Sequence, residues 1–262
     1  MEPTLSTVES LARQAGEILR RGYGQQHQIH HKGAIDLVTE IDHQSEAFLL
    51  GEIRRLYPDH KVVAEESGAL PGNDCCVWYI DPLDGAVNYA HGVPFFSVSL
   101  AYQENGVVFL GAIYDPLRDE CFSAQHSRGA WLNGTPIHAS ETCDLQKSLL
   151  VTGFPDDIQT RPENNLAYYT RFTMLTQGVR RLGSAALDLC YVASGRLEGY
   201  CETRLNALDV AAGGLVAEQA GALVTDLYGQ GSYLIPPYAV LAANRHIHPL
   251  MVEVFKEIDT LR

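Results

Sequence analysis

Leu5, Val8, Leu11, Ala12, Ala15, Ile18 and Leu19 recur at the spacing of one helix face, so the pattern predicts a helix at the start of the chain. A second helix is predicted over about 44–56, where Phe48, Leu49, Ile53 and Leu56 line up. Two apolar runs then end in acids: Val62-Val63-Ala64 before Glu65, and Trp78-Tyr79-Ile80 before Asp81. Both read as strands. From 95 to 131 several short apolar runs are broken by Asn105-Gly106, Asp115-Pro116 and Gly129, the signature of an antiparallel meander, and Asn133-Gly134 marks a further turn. After about 147 the pattern restarts with a strand at 148–152, a helix across 164–177, a strand-like 178–182 and a helix at 185–193. A strand at 199–202, a helix after Asp209, strands at 222–226 and 238–243, and a last helix over about 249–261 complete it. The mixed order defines an α/β (α+β) protein whose two halves, 1–146 and 147–262, pack together with a site between them.

Composition bounds what such a chain does. With 262 residues and 46% hydrophobic content it can bury a large core as one domain made of two closely packed halves. A formal net charge of −13, without a run of Lys or Arg, excludes a nucleic-acid-binding surface. No apolar stretch is long enough to span a bilayer, and Met1-Glu2-Pro3-Thr4 lacks the form of a signal peptide, so no membrane contact and a cytoplasmic location are expected. The six cysteines show no C-x-x-C spacing and are expected as free thiols. His27, His30 and His31 read as a polar surface segment.

The chemistry concentrates in Trp78-Tyr79-Ile80-Asp81-Pro82-Leu83-Asp84-Gly85-Ala86-Val87-Asn88-Tyr89. Pro82 biases Asp81 toward an extended conformation and is expected to end the strand there, with Asp84 bent back toward the same point. Carboxylates crowded in this way repel one another unless a cation lies between them, and oxygen ligands suit a hard one. The same residues also suit a simple Asx turn. Gly85 permits close backbone approach, so the amides of Gly85 and Ala86 are candidates for an anion such as phosphate. Glu65, at the tip of its own strand, is a candidate third carboxylate. Asp42 and Asp209 each precede a helical pattern and read either as N-caps or as further members of the group.

The order of these segments resembles the inositol monophosphatase family, within the magnesium-dependent, lithium-sensitive phosphatases. The resemblance runs through Asp36-Leu37-Val38-Thr39 with Asp42, Ala64-Glu65-Glu66-Ser67, Asp81-Pro82-Leu83-Asp84-Gly85 with Asn88-Tyr89, Gly92-Val93-Pro94-Phe95, Gly183-Ser184-Ala185-Ala186 and Asp209-Val210-Ala211-Ala212-Gly213. Val87-Asn88-Tyr89 resembles the inositol monophosphatase branch more than the nucleotide or histidinol phosphate branches. The resemblance implies a layered α-β-α-β-α sandwich, a homodimer, and hydrolysis of a small phosphate ester of inositol or a similar polyol.

It also implies roles. Glu65, Asp81 and the carbonyl of Leu83 would hold one Mg²⁺, and Asp81, Asp84 and Asp209 a second, with a third, weaker ion at Glu65. Asp84, Gly85, Ala86, Ala185, Glu202 and Asp209 would contact substrate, Glu202 through a polyol hydroxyl. Two positions depart from the family pattern. A Thr that works with the acid matching Asp42 to orient the attacking water is replaced by Ala86, and a Trp before the metal-binding Asp is replaced by Leu208. Two alternatives therefore stand beside the polyol phosphatase. One is a sugar bisphosphatase or 3′-phosphonucleotide phosphatase, which calls for basic groups at the rim such as Arg180, Arg181 or Arg204. The other is a weakly active or inactive relative that binds metal and phosphorylated ligand and acts through protein partners.

Overall fold

The computed structural model describes residues 2–25, 29–31, 37–155, 158–159 and 164–260, with backbone alone at 29–31 and 37–39. The chain runs α1 (Leu5–Gly22), β1 (Ile29–His31), β2 (Leu37–Thr39), α2 (Glu40–Leu56), β3 (His60–Ala64), β4 (Gly68–Leu70), β5 (Asn73–Asp84) and α3 (Ala86–Ala90). A meander follows: β6 (Ser97–Glu104), β7 (Val107–Asp115), β8 (Glu120–Gln125), β9 (Gly129–Leu132) and β10 (Thr135–Pro136). The second half holds β11 (Leu149–Thr152), α4 (Leu166–Leu175), β12 (Gly178–Arg180), α5 (Ala185–Ala193), β13 (Gly199–Glu202), α6 (Ala207–Gln219), β14 (Leu223–Thr225), β15 (Val240–Ala243) and α7 (Ile247–Thr260). Asp36 and His27 lie outside the described residues.

Among the described residues two large sheets form, one of eight strands in the order β10-β9-β8-β7-β6-β5-β3-β4 and one of five in the order β12-β11-β13-β15-β14. The alternation of 95–131 becomes an antiparallel meander, with β6 to β10 each pairing the next. At the far edge β3 runs parallel to β5, which brings the C-terminal ends of both strands to one place.

Helix α6 explains the layering. Val210, Ala211, Ala212, Leu215, Val216 and Ala217 are all buried, and a helix apolar on every side belongs inside. It packs against β5 to β9 on one face and β14 and β15 on the other, with α5 beside it. Helices α1 and α2 cover the outer face of the large sheet, while α4 and α7 cover the small one. The order is α-β-α-β-α. Among the described residues no helix is long and apolar enough to cross a membrane.

Candidate active site

The site begins with a parity problem. In an unbroken strand, positions 81 and 84 face opposite sides. Asp81 pairs with Ser99 and Asp84 with Ser97, so three steps along β5 match two along β6, and this bulge turns both carboxylates to one face. The strand therefore does not end at Asp81, as Pro82 led us to expect. Pro82 sits in the bulge, where its missing N–H breaks no ladder bond, and its carbonyl accepts a hydrogen bond from Ser45 Oγ at 3.1 Å. The Leu83 amide donates to Asp81 Oδ1 at 3.0 Å. Gly85 then takes φ +99°, and a Cβ there would lie 3.0 Å from the Phe95 carbonyl oxygen, so glycine alone fits without strain.

Glu65 follows the end of β3, beside β5. Its turn is held by Glu46 of α2, a buried carboxylate that accepts from the amides of Glu66 at 2.8 Å and Ser67 at 2.9 Å and from Ser67 Oγ at 2.6 Å. Sequence reading missed Glu46, because its partners lie 20 and 21 residues away in the chain.

The opposite wall comes from the second half. Asp84 accepts from Ser184 Oγ, from the amides of Ala186 at 2.9 Å and Ala185 at 3.2 Å, and from Ser97 Oγ at 3.4 Å, so it caps α5 from another element. Asp209 lies in the first turn of α6 rather than at its cap, and its Oδ2 accepts from the Asn206 amide at 2.6 Å. Asp42 is likewise inside a first turn: α2 starts at Glu40, and Asp42 is buried near Tyr89, whose hydroxyl is pushed upward by burial and further by the Asp42 charge. Glu202 ends β13, where Tyr200 donates to its Oε2 at 2.7 Å. A Cβ on residue 153 would collide with the Glu202 carboxylate, so Gly153 makes the room it occupies.

These walls enclose a cavity of about 260 Å³. Glu65, Asp81, Leu83, Asp84, Gly85, Ala86, Ala185, Glu202 and Asp209 all line it, together with Arg181, Arg204 and Asp188; Asp42 does not. Burial raises the Asp81 carboxyl well above the usual range, reinforced by the charges of Glu65, Asp84 and Asp209 and by hydrogen-bond contact with Glu65. Burial also raises Asp84, against four hydrogen bonds that pull it down, and pushes Glu202 up to about 8. Among the described residues no three of these acids are grouped tightly enough to hold an ion as they stand. Asp84 and Asp209 each turn an oxygen toward a helix N-terminus instead. The donor set nevertheless fits a hard divalent cation: every donor is oxygen, and Asp81 is buried among like charges, with the Leu83 amide donating to it.

The layered α-β-α-β-α fold with an acid-lined cavity between its two sheets is the architecture of the inositol monophosphatase class. The profile of the inositol monophosphatase family matches residues 1–260, and the chain belongs to that family. It is 46% identical over 229 residues to inositol-1-monophosphatase of Synechocystis, covering 86% of this chain and 79% of that protein. It is 40% identical over 257 residues to the Nus factor SuhB of Pasteurella multocida, covering 97% and 96% of the two. The structure of inositol monophosphatase from Anabaena superposes with a TM-score of 0.87 at 43% identity, covering 97% of this chain and 95% of that one.

Proposed function

We propose that this chain is a Mg²⁺-dependent phosphomonoesterase acting on myo-inositol monophosphate or a similar polyol phosphate. The observation that carries this reading is the cavity itself, which sets Glu65, Asp81, Asp84 and Asp209 near Glu202 and Ala185. Glu65, Asp81, the Leu83 carbonyl, Asp84 and Asp209 would hold two to three ions, Glu65 serving the third. Bound Mg²⁺ would polarise the phosphate ester and lower the pKa of the attacking water. Glu202 accepts a leaving-group hydroxyl, since its Oε2 is engaged by Tyr200 and Oε1 is left for a ligand among the described residues. The small Ala185 leaves space for the ring. Asp42, with Ala86 in place of a hydroxyl, orients the water less well than a Thr-bearing site would. Phosphate release with Mg²⁺, against EDTA, from a panel of inositol, sugar and nucleotide phosphates tests the reading, and no release from any ester defeats it.

One observation favours the bisphosphatase or 3′-phosphonucleotide alternative. Arg181 and Arg204 line the acidic cavity, and Arg204 also borders a second cavity of about 630 Å³ with Tyr168, Leu227 and Tyr228 in its wall. A second phosphate or a base would find guanidinium and ring partners there, and faster release from such esters in the same panel would favour it. Ala86 and the relatives named Nus factor support the third reading, action through protein partners, which turnover by an Ala86→Thr variant decides. Pairing of two copies is tested by light scattering at micromolar concentration; a monomeric mass overturns it.

A further inference from the structure

One acid in the cavity has no task in that scheme. Asp188 lies in the first turn of α5, is 1% exposed, and lines the cavity. Its Oδ1 is buried with no hydrogen-bond partner among the described residues. Buried carboxyl oxygens almost always find a donor, and one that does not costs the folded state stability. Its surroundings make the position worse: burial and the charges of Glu202 and Asp84 push its carboxyl up, and Arg181 offsets only part of that. Nothing in the packing of α5 calls for an acid there, since its neighbours Leu187, Leu189 and Cys190 are buried apolar groups of the core. The residue stands in the wall of the cavity that would receive a leaving group, beside Glu202.

We propose that Asp188 is a substrate-binding residue that, with Glu202, accepts hydrogen bonds from two hydroxyls of the leaving group, so that the cavity selects polyol phosphates over esters without hydroxyls. The inference rests on the phosphatase reading above. Hydroxyls are the neutral ligand groups that supply a donor to each acid, and two acceptors near one another match a diol better than one does. A site built to bond a hydroxyl rejects analogues that lack it, because its own buried group is then left unpaired.

The test compares wild type with Asp188→Ala and Asp188→Asn on myo-inositol 1-phosphate and on p-nitrophenyl phosphate, with Mg²⁺. The ratio of kcat/KM for the inositol ester to that for the phenyl ester is expected to fall about tenfold or more in Asp188→Ala. An unchanged ratio overturns the inference, and so does a loss of Mg²⁺ binding by calorimetry, which would assign Asp188 to the cation. If wild type hydrolyses neither ester, the phosphatase reading falls and thermal melts decide Asp188 separately. The wild-type melting temperature should then rise with myo-inositol 1-phosphate and Mg²⁺, and that of the variant should rise less. No rise in wild type, or equal rises, removes the proposed role. Without ligand, Asp188→Asn is expected to melt above wild type. A lower melting temperature would show that the acid serves the fold.

Discussion

Asp81 and Asp84 stand at the two ends of one bulge, both buried, yet their surroundings are opposite. Asp84 has four donors, three of them from the second half of the chain, two of those being amides at the start of α5. Asp81 has the Leu83 amide and faces Glu65, Asp84 and Asp209. One acid is built into the fold as a cap between the two sheets. The other is held where its charge is least welcome, the kind of position that marks a candidate for ligand binding. The difference teaches that membership of an acidic cluster does not define a role: the donors around each oxygen do.

The largest effect should come from separating these two acids. Asp81→Asn is expected to abolish Mg²⁺-dependent phosphate release and calorimetric Mg²⁺ binding, while the cation-free protein melts above wild type because a repelled charge is gone. Asp84→Asn should lower the melting temperature instead, by an amount corresponding to roughly 1–3 kcal/mol, since an amide cannot accept from all of the same donors. Shifts in the same direction for both variants would break the comparison.

Next in size is position 86, two residues beyond Asp84 and in the wall of the same cavity. Ala86→Thr restores a hydroxyl beside the acids and is expected to raise kcat by about 10²-fold or more, with little change in KM, as for a group used mainly in the transition state. Mg²⁺ and inositol phosphate binding should be nearly the same in both forms. Equal kcat would mean that no hydroxyl is needed here, and its expected partnership with Asp42 would have to be dropped.

Much of this arrangement was legible in the chain, and the parts that were not share a cause. The meander, α5 and the buried α6 follow from local period and turn residues, which are properties of neighbouring positions. The acids at 65, 81, 84 and 209 stand out because carboxylates beside apolar runs are unusual. The bulge was not legible: Pro82 reads as a strand end until Ser97 and Ser99 of β6 are seen to pair across it. Asp188 sits like an ordinary acid in a helix's first turn, well placed for the dipole, and only the folded structure shows that its Oδ1 has no partner among the described residues. Leu208 leaves Asp209 in the cavity wall, with α6 beginning two residues before Asp209 at Ala207.

Glu46 is a third buried acid and, like Asp84, is bonded to donors of the fold. Because it fixes the turn after Glu65, Glu46→Gln should weaken Mg²⁺ binding without touching the cavity, about tenfold for the loss of a charged acceptor to two amides and a hydroxyl. Activity at saturating Mg²⁺ should then recover toward wild type. A drop in activity that added Mg²⁺ does not restore would contradict a purely positioning role.

The smallest expected effect is a slope. Glu202 titrates at about 8 in the folded protein, against 4.5 for an exposed glutamate, chiefly because it is buried. Between those two values the folded state keeps a proton that the unfolded chain has released, so raising the pH favours unfolding across that window and has no further effect from this group above it. Glu202→Gln removes that contribution, and the cation-free variant should lose a few degrees less of melting temperature than wild type between about pH 5 and pH 8. Asp81, Asp84 and Asp188 are raised in the same direction, so part of the slope should survive the substitution. If the slopes of the two proteins coincide, Glu202 is ionised in the cation-free fold, and Tyr200 rather than burial governs its charge.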